Sequence, residues 1–154
     1  MKRRRLLQLT GGCALVPFAG CSALSSAPDS PPNSARAVSV VEAACEDAPS
    51  HVARATFLPK KHEVVVTGSI VGRAPCESLG LRVLTAESSE HADDVGIRVV
   101  PQGDIDGCEP CSARLDYVGT VTFDANAYPT SVDLAHMDKP TGRPVYGESF
   151  ERQS

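Results

Sequence analysis

Apolar side chains recur at every second position along the middle of the chain, and this period of two constrains the fold most. The clearest run is Leu115–Phe123, whose apolar face consists of Leu115, Tyr117, Val121 and Phe123. Successive side chains of a β-strand point to opposite faces, so this spacing predicts a half-buried strand. Glu63–Val71 is richer in β-branched residues, which is typical of a buried, central strand.

The same reasoning predicts about seven short strands separated by turns rich in Gly, Pro, Asn and Asp. They are Val38–Ala43, Val52–Phe57, Glu63–Val71, Leu79–Leu84, Val95–Val100, Leu115–Phe123 and Ser131–Ala135. Only Ala37–Cys45 is rich enough in Ala and Glu to suit a helix as well as a strand. The pattern predicts an all-β fold, either one small antiparallel β-sandwich of immunoglobulin-like size or a partly open barrel. The chain has no tryptophan, so it lacks the residue that marks true immunoglobulin domains.

The first 20 residues have the three parts of an export signal, namely a basic start, an apolar stretch and small residues before a cleavage point. Arg3 and Arg4, followed after one residue by Leu6 and Leu7, form a motif similar to the twin-arginine signal. The apolar stretch is shorter than the roughly 20 residues that a membrane-spanning helix needs. Residues 1–20 are therefore interpreted as a removable, lipoprotein-type signal peptide.

Cys21 ends the run Phe18-Ala19-Gly20-Cys21 and is the predicted site of lipid attachment. A thiol can form the nucleophilic thiolate that attacks a lipid donor, which a serine hydroxyl cannot do comparably. An ordinary signal peptide with a chance cysteine and an uncleaved anchor are the alternatives. Cys13 is the weaker candidate, since cleavage there would leave a very short apolar segment. Residues 21–37 are rich in Ser, Pro and Ala, which predicts a flexible tether.

Residues 38–138 are assigned to the β-sandwich domain, and residues 139–154 to a C-terminal tail or a final edge strand. Four of the 15 basic residues lie in the signal peptide, which has no acidic residue, so the rest of the chain carries a net charge of −8. Such a chain is a poor candidate for binding nucleic acid, which requires clustered Lys and Arg.

Four cysteines, Cys45, Cys76, Cys108 and Cys111, lie in the predicted domain. An even number of cysteines in a small exported domain indicates two disulfides, for which three connectivities are possible. Because Cys108 and Cys111 flank two residues just before a strand, we favour each of them pairing with Cys45 or Cys76.

Cys108-Glu109-Pro110-Cys111 also resembles a thioredoxin-type redox motif. That site needs its first thiol at the start of a helix, whereas here the second cysteine leads into a strand. A four-cysteine zinc site would normally show two such motifs, and the chain has one. Structural disulfides are the favoured interpretation, and we predict no bound cofactor or metal.

The remaining polar groups predict no catalytic site. Asp104, Asp106 and Glu109 lack the spacing of an EF-hand loop and are interpreted as a solvated turn. His136 is expected to be exposed or to lie at the end of a strand. No Gly-x-Ser-x-Gly motif, phosphate loop or dinucleotide fingerprint occurs, so we predict that the protein is not an enzyme.

The chain resembles the small twin-arginine lipoproteins of halophilic archaea that carry one cysteine-containing β domain. The resemblance rests on the signal and lipid-attachment residues, on Val66–Ile70 followed by Cys76, on Cys108 and Cys111, on Tyr117, and on Val132–Leu134 leading to His136. It implies a protein anchored by lipid to the outer face of the cell membrane, and it implies no known activity.

Two hypotheses for the function follow. The first is a non-enzymatic binding or interaction module, tethered outside the membrane, whose partner is a protein or a small molecule. The second is an extracytoplasmic thiol-redox or metal-handling protein that uses Cys108 and Cys111.

Overall fold

A computed structural model describes residues 35–85 and 94–154. Eight strands account for most of this part: β1 (Ala35–Cys45), β2 (Val52–Leu58), β3 (Glu63–Gly72), β4 (Ser78–Thr85), β5 (Asp94–Gln102), β6 (Ala113–Thr122), β7 (Ser131–Met137) and β8 (Pro144–Glu151). Two short 3-10 turns, Pro59–Lys61 and Ala125–Ala127, lie between strands. In the described part of the chain, no helix is long and apolar enough to cross a membrane.

The strands form two four-stranded sheets, ordered β1-β6-β3-β2 and β4-β5-β7-β8. The all-β sandwich predicted from the sequence is thus confirmed, and it is not a closed barrel. Glu63–Val71 lies within β3, which is an inner strand of the first sheet as predicted. The segment compatible with either helix or strand belongs to β1, which begins at Ala35.

One strand pair departs from the antiparallel expectation. β5 pairs in parallel with β7, with Val95 beside Val132 and Val99 beside His136. The chain crosses from β5 into the first sheet to form β6 and then returns, so β7 runs in the direction of β5. Parallel strands need such a crossover because a tight hairpin always reverses the chain.

The core lies between the sheets and consists of the apolar residues that alternate along the strands. Leu115, Tyr117 and Val121 of β6 face Leu81 and Val83 of β4 and their apolar neighbours, and all are buried. At one side of the sandwich β1 lies against β4, and at the other β2 lies beside β7 and β8. The residues assigned to a tail or edge strand form β8, the edge strand of the second sheet next to β2.

The predicted signal peptide, with Arg3, Arg4, Leu6 and Leu7, lies outside the described residues. So do Cys21 and most of the tether at residues 21–37. Their assignments remain predictions from the sequence.

Candidate ligand site at the edge of the sandwich

The four domain cysteines form two disulfides, Cys45–Cys111 and Cys76–Cys108. The preference for separate partners is therefore confirmed. The first bridge ties the end of β1 to the segment that leads into β6. The second ties the β3–β4 connection to the β5–β6 connection. Cys108 and Cys111 belong to different bridges and do not form a dithiol pair.

The acidic turn at Asp104, Asp106 and Glu109 lies on the surface. In residues 35–85 and 94–154, no group of three or more His, Cys, Asp or Glu residues is arranged to hold a metal ion. We therefore looked for a candidate functional site away from the cysteines and the acidic turn.

That site consists of His51, Tyr117, His136 and Tyr146, which we call the histidine–tyrosine cluster. His51 lies just before β2, and Tyr117, His136 and Tyr146 lie on β6, β7 and β8, respectively. The two Nδ1 atoms of His51 and His136 are 3.0 Å apart, and the Tyr117 hydroxyl lies 2.8 Å from His136 Nε2. The Tyr146 ring stacks on His136, with the ring centroids 5.1 Å apart.

His136 lies one residue before the end of β7, as one of the two alternatives predicted, but it is completely buried, so the other alternative, an exposed residue, is wrong. Its position follows from the period of two, since Val132, Leu134 and His136 are alternate residues of β7 and share the core face. Both ring nitrogens have partners inside the protein, and this makes burial of the imidazole tolerable. The alternation along β7 was the signal that could have revealed it.

Burial also controls the charge of the cluster. Desolvation, assisted by the neighbouring His51, lowers the pKa of His136 to about 4. Desolvation likewise lowers the pKa of His51 and raises the pKa of Tyr117, to which the nearby Tyr146 contributes. Both imidazoles and the buried phenol are consequently neutral at pH 7. The cluster can donate and accept hydrogen bonds, but it does not supply a fixed charge.

The cluster lies at one end of a groove between the edge strands of the two sheets, which we call the edge groove. Its volume is about 570 Å³. One wall is formed by His51 and residues 52–56 of β2, and the other consists of Tyr146, Glu148 and Phe150 on β8. His51 and Tyr146 are only partly buried and form part of the groove, whereas Tyr117 and His136 lie behind them. The Tyr146 hydroxyl donates to Glu148 Oε2 at 2.6 Å, and this bond raises the pKa of Tyr146.

Comparisons with known proteins identify no relative: no family model, no curated protein and no solved structure matches the chain. The function must therefore be inferred from the chain itself.

Proposed function

We propose that this protein is a non-enzymatic binding module, held at the outer face of the cell membrane by a lipid on Cys21. Its partner is an extended segment of another polypeptide, which binds in the edge groove. The export signal, the cysteine after it and the Ser/Pro-rich tether support the location. The shape of the edge groove supports the choice of an extended polypeptide as the ligand.

The observation that carries this proposal is the alignment of the groove with an unpaired strand edge. Among the strands of residues 35–85 and 94–154, β2 pairs only with β3, so its other edge faces β8 across the groove. Five consecutive residues of β2, together with His51 just before the strand, line the groove. At about 3.3 Å per residue, these six residues span about 20 Å. An unpaired edge can add a strand by main-chain hydrogen bonding to an extended peptide.

The β8 wall of the groove provides side chains that can distinguish one peptide sequence from another. Tyr146, Glu148 and Phe150 are alternate residues of β8, so they present an aromatic, an acidic and an aromatic side chain along the same groove. Arg54 lies on the β2 side. In strand addition the main chain provides affinity, while contacts with alternate side chains provide specificity. A segment with apolar residues beside a basic one would complement this wall.

Binding without turnover is proposed because the buried histidine of the cluster has no hydrogen-bonding group directed into the groove. Both ring nitrogens of His136 are engaged by His51 and Tyr117, and the ring is closed off from the groove. Cys108 and Cys111 are held in separate disulfides. The residues that line the groove are suited to contact a ligand.

The test is selection of ten-residue peptides from a random library on the full-length protein in non-ionic detergent. Enriched peptides are expected to shift the amide resonances of residues 51–56 and of β8. The matched variant is Ala55→Pro. Ala53 directs its main-chain N–H to the Tyr146 hydroxyl, and the N–H of Ala55, two residues on, faces the same side.

Ala55→Pro should weaken peptide binding at least tenfold, because proline cannot donate to the added strand. Asn126→Ala, in an exposed turn outside the groove, should bind peptides normally. If the proline variant does not fold, the amide resonance shifts of the unmodified protein still show whether the peptides bind at the edge groove. Shifts confined to other strands, or a saturable turnover of the selected peptides, would reject the proposal.

A further inference from the structure

The outer face of the second sheet carries a second groove, unconnected with the proposed peptide site. Three basic residues, Arg82, Arg98 and Lys139, lie along it, and we call it the cationic groove. Leu84 and Val100 supply apolar surface within it, and its volume is about 490 Å³. This volume is within the range of small-molecule sites in proteins.

The two arginines form a like-charge pair. Arg82 of β4 and Arg98 of β5 are direct partners in the antiparallel register, so their side chains leave the same face of the sheet side by side. Like charges in this position destabilise a sheet. Of the residues that the structure describes, none forms an ion pair with Arg82 or Arg98.

On the outer face of the first sheet, by contrast, an arginine is surrounded by carboxylates. Arg114 lies among three carboxylates: Asp116 at 3.2 Å, Glu42 at 3.7 Å and Glu46 in direct contact. The chain after its signal peptide has a net charge of −8 and thus many acidic residues, but within the described part of the chain none of them pairs with Arg82 or Arg98.

One acidic residue, Asp138, also lines the cationic groove, but it forms no ion pair with either arginine. The Asp138 carboxylate accepts hydrogen bonds from the Thr141 main chain and hydroxyl, which hold it in its own turn. Arg98 Nη1 donates to the Asp133 carbonyl at 3.2 Å, and Lys139 Nζ donates to the Gly103 carbonyl. These carbonyls are neutral acceptors, and a guanidinium has five N–H donors, so Arg98 keeps most of its donors for a ligand.

We propose that the cationic groove binds a phosphate ester that carries an apolar group. The planar guanidinium forks of Arg82 and Arg98 match the oxygens of a phosphate, which can accept from both at once. Leu84 and Val100 would contact the apolar part of the same molecule. The phosphate ester could belong to a soluble metabolite or to the headgroup of an anionic lipid.

The probes are inorganic phosphate, hexyl phosphate and vesicles of phosphatidylglycerol, with phosphatidylcholine vesicles as the uncharged reference. The full-length protein in non-ionic detergent is titrated calorimetrically with the two soluble probes. For sedimentation with vesicles, the detergent-free Cys21→Ser protein is used, because it has no lipid of its own to insert into either kind of vesicle. We expect hexyl phosphate to bind at least tenfold more tightly than inorganic phosphate, and higher salt to weaken binding. Binding to hexyl phosphate alone identifies a soluble ester, and binding to phosphatidylglycerol vesicles as well identifies a lipid headgroup.

The double substitution Arg82→Gln with Arg98→Gln should weaken hexyl phosphate binding at least tenfold. Lys60→Gln with Lys61→Gln, which removes two exposed positive charges from a turn outside both grooves, is the matched control and should leave binding unchanged. In the unmodified protein, the Nε resonances of Arg82 and Arg98 should shift on titration. Absence of hexyl phosphate binding, or equal binding by the double variant, overturns the proposal. Neither result bears on the edge groove.

Discussion

At the scale of single residues, His136 and Tyr117 form a polar pair inside an apolar core. The core residues around them belong to both sheets, and these two side chains satisfy each other across the gap between β7 and β6. A buried polar group without a partner costs free energy, so each of the two makes burial of the other acceptable. The pair therefore helps to fix how one sheet lies on the other.

Tyr117→Phe tests this pairing. The substitution keeps the ring but leaves His136 Nε2 buried without its partner, so we expect the free energy of unfolding to fall by about 1–3 kcal/mol. Urea unfolding of the full-length protein measures the change. Tyr146→Phe is the control. Its hydroxyl donates to the exposed Glu148 and accepts from the Ala53 main chain, but it lies in the open edge groove, where water can replace it, so its loss should cost less than about 1 kcal/mol. Equal losses for the two variants would contradict a special role for the buried pair.

The lowered pKa of His136 predicts a dependence of stability on pH. In the unfolded chain a histidine takes up its proton near pH 6.5, whereas in the folded protein His136 does so only near pH 4. Between these values the unfolded state binds more protons, so the free energy of unfolding falls as the pH falls. The contribution is present in full above about pH 6.5, and about 3 kcal/mol of it is lost by pH 4.

Urea unfolding at several pH values measures this loss, and His136→Gln supplies the comparison because it cannot titrate. The free energy of unfolding is plotted against pH for both proteins, and the difference between their slopes over pH 6.5–4.5 gives the contribution of His136, because the carboxylates titrate in both. Direct NMR titration of His136 in the unmodified protein gives an independent answer if the variant does not fold. A measured pKa near 6.5 in the folded protein would refute the prediction.

The histidine–tyrosine cluster could be predicted only in part. The period of two along β7 places His136 on the core face with Val132 and Leu134. The approach of His51, which is 85 residues away in sequence, depends on how β2 and β8 meet at the side of the sandwich. No local pattern specifies that meeting, because it arises from the packing of two sheets.

At the scale of strands, local pattern predicted most of the elements but not all of their neighbours. The alternation in Leu115–Phe123 and the β-branched run in Glu63–Val71 identified inner strands, since each residue's environment repeats every two positions. The parallel pairing of β5 with β7 could not be predicted in this way. It depends on a crossover through the other sheet, and the alternating pattern of β7 is the same for either direction.

Gly119, in the middle of β6, shows how closely the sheets pack. A Cβ atom at this position would lie 2.6 Å from Leu81 Cδ1 on the opposite sheet and 2.9 Å from Val66 Cγ2 on the neighbouring strand. Gly119→Ala should therefore lower the free energy of unfolding by about 1–3 kcal/mol through overpacking. Gly147→Ala on β8, where the nearest atom would be 3.8 Å away, should change it by less than about 0.5 kcal/mol. Urea unfolding of both variants decides, and equal stabilities would show that the sheets can separate to admit a methyl group.

At the scale of the whole molecule, the two proposed sites lie on different surfaces. The edge groove opens between the two sheets, beside β2 and β8, while the cationic groove lies on the outer face of β4 and β5. A domain tethered through its N-terminus could therefore contact a polypeptide with one surface and a phosphate ester with the other. The predicted lipid on Cys21 would hold both surfaces close to the outer face of the membrane.

Cys21→Ser tests that anchoring directly. A serine hydroxyl is not a comparable nucleophile, so the variant should not acquire a lipid and should move from the membrane to the soluble fraction. Cys13→Ser is the matched control, since Cys13 lies inside the predicted signal peptide and should leave with it. Mass spectrometry of the purified protein should find the lipid on Cys21, at the new N-terminus, in the unmodified chain and in Cys13→Ser. Membrane retention of Cys21→Ser with residues 1–20 still attached would instead identify an uncleaved N-terminal anchor. A lipid on Cys21 and an uncleaved N-terminal anchor would both keep the domain beside the membrane. Only the lipid would attach it through a single residue at the start of the tether.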